Sequence, residues 1–294
     1  MSHLLSVAEL SELLDRAAPV RLLDVRWRLD RPDGRADYLE GHLPGAVYVD
    51  LDGELASLET PDAGRHPLPD TASLQSAARR WGVNARDLVV AYDDVKGIAA
   101  ARAWWLLRQA GVDVLVLDGG LRAWIAAGKS LETGEIAPAL GDVELADIGA
   151  DALTIDEAAA FPASGVLLDV RAPERYRGEV EPLDPAAGHI PGAVNLPTFV
   201  HIAPDGTLHD AATLRAAFAE VGVEPGTRVA AYCGSGITAA HTALALAEAG
   251  IEGKVFPGSW SQWSTTPAGP SRPARFPTAS EPDDALAGPP ARAP

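Results

Sequence analysis

The feature that most constrains this chain is an internal repeat. Four segments of the first half return in the second half, in the same order and at similar separations. The pairs are Val20-Arg-Leu-Leu-Asp-Val-Arg26 with Gly165-Val-Leu-Leu-Asp-Val-Arg171, Gly41-His-Leu-Pro-Gly-Ala-Val47 with Gly188-His-Ile-Pro-Gly-Ala-Val194, Leu88-Val-Val-Ala-Tyr-Asp93 with Arg228-Val-Ala-Ala-Tyr-Cys233, and Val116-Leu-Asp-Gly-Gly-Leu-Arg-Ala-Trp124 with Val255-Phe-Pro-Gly-Ser-Trp-Ser-Gln-Trp263. Chance similarity does not preserve both order and separation. The chain is therefore a tandem duplication, and its 294 residues predict two domains.

Each copy predicts an α/β fold. Short apolar runs that favour strands alternate with helical stretches such as Ala72–Trp81, Ala99–Ala110 and Ala211–Val221. This alternation is typical of a small, mainly parallel sheet flanked by helices. Two such domains in tandem are expected.

Composition shifts suggest the boundaries. The segment between the copies is rich in glycine and contains Pro138, which favours a connector, and the chain beyond Trp263 turns to Pro, Ala, Gly and Ser. We expect a first domain over 1–130, a linker over 131–150, a second domain over 151–270 and an extended Pro-rich tail over 271–294.

Composition also bears on partners and compartment. The chain has 24 basic and 41 acidic residues, a net charge of −17, which repels phosphate backbones and argues against nucleic-acid binding. No run approaches the roughly 18 apolar residues that a membrane span needs. The amino terminus carries Glu9 and Glu12 where a signal sequence would be apolar. One cysteine allows no intrachain disulfide, so a cytoplasmic protein that acts away from membranes is expected.

The one cysteine, Cys233, lies in a distinctive local setting. Val229–Tyr232 predicts a buried strand, Ile237 begins a helix that a glycine stops, and the loop between them contains Gly234 and Gly236. The glycines let backbone N–H groups turn inward, and the helix start adds a positive dipole end. Such surroundings lower the pKa of a thiol and bind anions. The alternative is a buried structural cysteine, because free cysteines are commonly small core residues.

Several motifs together carry a family resemblance. The two Leu-Leu-Asp-Val-Arg strands, the two Gly-His-[Leu/Ile]-Pro-Gly-Ala motifs and Cys233-Gly-Ser-Gly-Ile-Thr238 resemble the tandem-domain rhodanese family of sulfurtransferases, over nearly all of the chain from Leu4 to Trp263. The resemblance implies a doubly wound α/β fold in each half and a persulfide intermediate on Cys233. At the matching position the first half has Asp93, in a loop one residue longer before its glycine. A carboxylate cannot carry sulfur, so the first half is expected to be non-catalytic and to help form the cleft.

The resemblance also indicates a sulfur donor. Family members that prefer thiosulfate tend to have basic residues directly after the cysteine, since positive charge offsets a dianion. Here the loop is uncharged, which looks like the branch that uses 3-mercaptopyruvate. In that branch a loop serine is linked to a histidine and an aspartate of the first domain, which match Ser235, His66 and Asp52 and form a candidate proton relay. The remaining loop residues are candidate substrate-binding residues: Gly234, Gly236, Ile237 and Thr238.

The substrate carboxylate is expected to meet an arginine, whose two donors match two oxygens. Arg175 falls on the family's substrate arginine. A second arginine, common in the mercaptopyruvate branch, has its nearest match at Leu183-Asp184, where no arginine stands. Arg177 can compensate or can be an ordinary surface charge, and a thiosulfate-preferring enzyme is kept as the alternative.

The remaining expectations concern partners and rival functions. The donor is a small molecule, and the acceptor is a thiol, cyanide or a thioredoxin-like protein. The histidines lack metal-ligand spacing, so neither a metal nor a cofactor is expected. His42 and His189 are expected to bond the backbone of their turns. A phosphatase would need an arginine closing the loop, where Thr238 and Ala239 stand, whereas a sulfur carrier with little turnover remains a rival from another class.

Overall fold

The computed structural model describes residues 2–57 and 60–267. The Pro-rich tail expected over 271–294 lies outside the described residues. Two α/β halves follow each other along the chain, as the repeat predicts. None of the helices in the described part of the chain is long and apolar enough to cross a membrane.

The first half contains a five-stranded parallel sheet flanked by helices. Its strands run in the order β1-β5-β4-β2-β3. The strands are β1 Leu4–Leu5, β2 Val20–Asp24, β3 Val47–Tyr48, β4 Leu88–Tyr92 and β5 Val114–Leu117. The helices are α1 Val7–Asp15, α2 Arg35–Glu40, α3 Leu51–Glu54, α4 Thr71–Arg80, α5 Ala100–Gln109 and α6 Gly120–Ala126, with a 3₁₀ turn at Pro61–Ala63.

The second half repeats this plan with a four-stranded parallel sheet in the order β7-β6-β8-β9. The strands are β6 Val166–Asp169, β7 Val194–Asn195, β8 Val229–Tyr232 and β9 Gly253–Val255. The helices are α7 Ile155–Ala160, α8 Pro173–Tyr176, α9 Ala211–Glu220, α10 Ile237–Glu248 and α11 Ser259–Thr265, with 3₁₀ turns at Phe161–Ala163 and Thr198–His201. The predicted α/β class, with two parallel sheets flanked by helices, is confirmed.

Local sequence explains where the helices begin and end. The three helical stretches predicted from the sequence are α4, α5 and α9. Asp70 and Asp210 begin α4 and α9 by accepting N–H groups of the first turn. The helix predicted after the cysteine is α10, and Gly250 follows it with a φ of +76°.

In each half a buried ion pair joins two segments of the repeated pattern. Arg171 donates to the Asp169 carboxylate at 2.6 Å and to the Gly188 carbonyl at 2.6 Å. In the first half Arg26 makes the matching bonds to Asp24 and to the carbonyl of the glycine before His42. These pairs tie the ends of β2 and β6 to the Gly-His-x-Pro-Gly turns. The strand-end aspartates thus fix neighbouring loops through the arginines.

The two halves share one hydrophobic core. Helices α5 and α10 pack against each other, and buried side chains from both halves, such as Leu106 and Leu244, belong to one continuous cluster. Helix α10 is apolar nearly all round, which is typical of a helix with no solvent face. The segment after α6 has no regular helix or strand over 135–149, yet Gly141 and Val143 hydrogen bond to the first half.

Candidate active site

Cys233 lies at the carboxyl end of β8, immediately before α10. Ligand sites of parallel α/β sheets form at this edge. The turn is possible because Gly236 has a φ of +85°, and a β-carbon there would lie 2.5 Å from the Pro257 carbonyl oxygen. The carbonyl groups of Cys233 and Gly234 accept the N–H groups of Trp260 and Ser261 at the start of α11. The loop is therefore held from both sides.

The sulfur is almost completely enclosed. Cys233 is 2% exposed, and its Sγ accepts the Gly236 N–H at 3.1 Å. Ser259 Oγ accepts the Cys233 N–H at 3.1 Å and lies 3.9 Å from Sγ. Ser259 adopts a φ of +52°, uncommon for a residue other than glycine, and so stores strain directly beside the cysteine.

In the first half the equivalent loop binds a carboxylate of the chain itself, that of Asp93. The Asp93 carboxylate is fully buried and accepts four backbone N–H groups. Those of Val95 and Gly97 donate to Oδ1, and those of Ala99 and Ala100 donate to Oδ2, at 2.8 to 3.0 Å. Burial raises the pKa of Asp93, and the four N–H groups oppose that shift. This loop is an anion cradle whose anion belongs to the chain itself.

In the second half the same cradle is open. Gly236, Thr238 and Ala239 are the counterparts of the three donors Gly97, Ala99 and Ala100. The Gly236 N–H donates to the sulfur, whereas the N–H groups of Thr238 and Ala239, in the first turn of α10, donate to no acceptor outside that helix among residues 2–57 and 60–267. The repeat thus leaves donors for an anion that the protein does not supply.

The cradle opens onto a cavity of about 430 Å³ between the two halves. Cys233 does not line it, but all four loop residues named as substrate-binding candidates lie in or beside its wall: Gly234, Ile237 and Thr238 line it, and Gly236 binds the sulfur. Ser235 also lines the cavity. The first half contributes a separate part of the wall, which includes Trp27, Arg28, Arg65, Val95 and Ile98.

Two arginines converge on the loop. A β-carbon placed on Gly234 would lie 3.1 Å from Nη2 of Arg65 and 3.5 Å from Nη1 of Arg175. Arg175 binds Glu181 through Nε and Nη2, at 3.2 and 2.7 Å, so its Nη1 stays available to the cavity. Asp184 pairs with both arginines. Sequence reasoning singled out Arg175 and missed Arg65, which no local signal marks.

Arg177 does not take part in this cluster. Its side chain is half-exposed and pairs with Glu179 at 2.7 Å. It is absent from the cavity wall, whereas Leu183 belongs to it. Arg177 is thus the surface charge that the sequence allowed as one of two interpretations.

His66 and Asp52 lie together in the first half. His66 Nε2 is 3.1 Å from Asp52 Oδ1, which also accepts the Trp27 indole N–H at 2.9 Å. His66 is 7% exposed, and its Nδ1 is buried without a hydrogen-bond partner in the described part of the chain. Ser235 makes no hydrogen bond to His66 within that part. The structure therefore joins two members of the predicted relay and leaves the third unlinked.

A buried cation lies beneath the site. Arg102 of α5 is fully buried and donates to the carbonyl groups of Leu55 and His66, at 3.2 and 3.0 Å. Burial lowers the pKa of Arg102 to about 10, and the charge of the Cys233 thiolate opposes that shift. Arg102 positions the backbone of His66 and adds positive charge near the cysteine.

Other predicted residues take the structural places expected of them. His42 and His189 each bond a backbone carbonyl through Nδ1, at 2.9 and 2.8 Å. Each stacks on the tyrosine that provides the carbonyl. Five tryptophans of the described residues are buried and pack in the interior: Trp104, Trp105, Trp124, Trp260 and Trp263. Within the described residues no group of three or more His, Cys, Asp or Glu side chains can hold a metal ion.

Comparison with known proteins identifies relatives of both halves. The family model of the rhodanese-like domain matches residues 6–127 and 154–266. A Mycobacterium tuberculosis protein named as thiosulfate sulfurtransferase SseB is 49% identical over 271 residues, covering 91% of this chain and 95% of that protein. A Pseudomonas aeruginosa protein named as 3-mercaptopyruvate sulfurtransferase is 43% identical, covering 85% and 90%. The crystal structure of Escherichia coli SseA, a 3-mercaptopyruvate sulfotransferase by its description, aligns with a TM-score of 0.77 at 32% identity, covering 89% of this chain and 100% of that one.

Proposed function

The chain belongs to the rhodanese family, and on that premise we propose that it is a sulfurtransferase that carries a sulfane sulfur as a persulfide on Cys233. One observation supports this most directly. The loop that Asp93 fills with its own carboxylate holds Cys233 in the second half, where N–H groups of the first turn of α10 lie beside a cavity that Thr238 lines. An outer persulfide sulfur is an anion of the kind that such donors stabilise.

The preferred donor that we propose is 3-mercaptopyruvate. The Cys233 thiolate forms a bond to the donor sulfur, the carbon–sulfur bond breaks, and its electron pair leaves as pyruvate enolate. The enolate takes up one proton, and the outer sulfur of the new persulfide gives one up, so charge and atoms balance. The uncharged Gly234 and Ser235 favour this donor over a dianion.

The residues around the cavity have separate roles in this proposal. Arg175 binds the donor carboxylate through its available Nη1. Ser235, His66 and Asp52 move the proton, once the serine hydroxyl turns to donate to the unpartnered Nδ1 of His66. The first half, over 1–130, supplies the relay and part of the wall, and the second half, over 151–270, supplies the nucleophile.

The acceptor must come from outside the chain. With one cysteine in the sequence, the persulfide cannot be resolved as an internal disulfide. A thiol, cyanide or a thioredoxin-like protein attacks the outer sulfur and regenerates the Cys233 thiolate, which predicts ping-pong kinetics. The single thiol also fits a cytoplasmic setting.

Thiosulfate is the second candidate donor, because the similar M. tuberculosis protein is named for it. The test is steady-state sulfur transfer from each donor to cyanide, with Cys233→Ala as the blank. We expect a higher kcat/KM with 3-mercaptopyruvate and no transfer by the variant. A higher value with thiosulfate would overturn the choice of donor, and activity that survives in the variant would refute the persulfide on Cys233.

A further inference from the structure

We propose that Arg65, which belongs to the first half, is a second substrate-binding arginine and determines which anionic donors the site accepts. The inference rests on the proposed function. It goes beyond the resemblance, which places a second arginine in the other half, where this chain has Leu183-Asp184 and no arginine. Arg65 of the first half lines the same cavity as Leu183 and supplies an arginine there.

The position of the guanidinium supports this role. Nη2 of Arg65 is 3.1 Å from where a β-carbon of Gly234 would lie, closer than Nη1 of Arg175 at 3.5 Å. Gly234 is the residue directly after the nucleophile. Two guanidinium groups from different halves therefore flank the point where the donor's reacting end must lie, and both line the cavity.

Arg65 is held in place by contacts that cross between the halves. Its backbone N–H donates to Ser261 Oγ at 3.1 Å. The preceding Gly64 has a φ of +103°, and a β-carbon there would lie 2.7 Å from the Gly258 carbonyl oxygen. Only glycine permits this close approach, so the sequence of this loop is fitted to the loop of the second half.

Asp184 fixes the direction of the side chain. This carboxylate is 4% exposed, forms an ion pair with Nη1 of Arg65 and lies 3.4 Å from Nη2 of Arg175. Burial raises the pKa of Asp184, and Arg65 opposes that shift. One buried carboxylate thus bridges the two arginines, which holds both guanidinium groups at the cavity before any donor arrives.

Donor capacity remains on Arg65 after this pairing. Nε is buried without a hydrogen-bond partner among the described residues, and Nη2 makes no hydrogen bond there either. An oxyanion that arrives in the cavity gives Nη2, the nitrogen nearest Gly234, an acceptor. The planar donor set of arginine fits a carboxylate or the sulfonate end of thiosulfate.

One consequence is that donor binding requires both halves. Arg65 immediately precedes His66 of the proposed relay, so an anion bound at Arg65 lies beside the loop segment that carries the histidine. The anion and the proton relay are thereby brought to Cys233 together.

The test compares donor kinetics of Arg65→Ala with those of the wild-type protein and of Arg80→Ala. Arg80 is a matched control because it is a half-exposed first-half arginine paired with Glu54, outside the cavity wall. We expect the KM for 3-mercaptopyruvate to rise about 10- to 100-fold in Arg65→Ala, the loss of one charge-assisted hydrogen bond, with kcat changed much less. Arg80→Ala should match the wild-type protein.

A rescue variant separates substrate binding from structural damage. Leu183 lines the same cavity, so Leu183→Arg added to Arg65→Ala should recover most of the lost affinity. A KM within twofold of the wild-type value in Arg65→Ala would overturn the proposal. So would a raised KM that Leu183→Arg leaves unchanged while the unfolding midpoint falls.

Failure of the proposed function would give a different result. If the wild-type protein used neither donor, the sulfurtransferase proposal would fail, and Arg65 would then be tested by titrating pyruvate into Cys233→Ala with and without Arg65→Ala. Weaker pyruvate binding in the double variant supports the arginine as an anion-binding residue. Equal binding overturns it.

Discussion

We expect acid to destabilise this protein, because the fold buries two histidines whose pKa values are lowered. His241 lies on α10 against the glycine of the Asp93 loop, and burial lowers its pKa to about 4. Burial lowers the pKa of His201 to about 3, and the charge of His241 adds to that shift. Neither His201 nitrogen has a hydrogen-bond partner in the described part of the chain. Both rings are therefore neutral in the folded protein.

The sign and size of the effect follow from linkage. A histidine whose folded pKa lies below its unfolded value of about 6.5 contributes its full stability above that value and loses it as the pH falls toward the folded pKa. At pH 5 the unfolded histidines are almost fully protonated and the folded ones are not. Each histidine then costs about 2 kcal/mol of unfolding free energy relative to pH 8, and the pair about 4 kcal/mol.

Other groups titrate in the same range, so the measurement is a difference. Burial raises the pKa of Asp24 to about 6, and a raised carboxyl pKa stabilises the folded state as the pH falls, which is the opposite sign. Comparing variant with wild-type protein at each pH cancels this contribution. His241→Gln keeps a donor for the Lys96 backbone, and His201→Leu replaces a ring that makes no hydrogen bond to the described residues.

The assay is urea unfolding followed by tryptophan fluorescence at pH 8, 7, 6 and 5. Between pH 8 and pH 5 we expect the unfolding free energy of each variant to fall by about 2 kcal/mol less than that of the wild-type protein. The variants differ in starting stability, but only the change with pH enters the comparison. Parallel pH profiles for all three proteins would refute neutral, buried histidines at these positions.

Two further predictions concern the loops around the site. Asp93→Asn places an amide NH₂ group against two N–H donors, so two charge-assisted hydrogen bonds are lost. In urea titrations we expect the unfolding free energy to fall by about 3 to 6 kcal/mol. A loss below about 1 kcal/mol would contradict the anion cradle. Gly64→Ala should cost about 1 to 3 kcal/mol and raise the donor KM, because its β-carbon meets the Gly258 carbonyl. Gly134→Ala is the matched control, because Gly134 has a φ of +93° and no atom of the described residues lies within 4 Å of its β-carbon position. An equal loss of unfolding free energy there would mean that backbone strain alone explains the effect.

The comparison of the two repeats shows how far local pattern reaches. The strand, loop and helix around Cys233 were predictable because hydrophobic periodicity and glycine positions act within about ten residues. The difference between Asp93 and Cys233 also stands in the sequence. What that difference does became visible only when four N–H groups were seen to bind the carboxylate.

Contacts between charged residues of the two halves were not predictable from the sequence. The sequence shows that no arginine stands at Leu183, but no local pattern places Arg65 in the same cavity as that residue. The resemblance predicts Ser235, His66 and Asp52 as a relay. In the structure His66 contacts Asp52, whereas Ser235 lines the cavity and makes no hydrogen bond to either of them within the described residues.

The sequence by itself determined the duplication, the α/β class, the cysteine as the only thiol and the overall family. Those properties depend on short-range periodicity and on residue identity, both of which can be read directly from the sequence. Only the tertiary structure decided that Arg65 and Arg175 converge on Gly234 and that Asp184 bridges them. The reason is physical: the packing of α5 on α10 sets the distance between the halves, and an ion pair between residues far apart in the chain leaves no periodic signal.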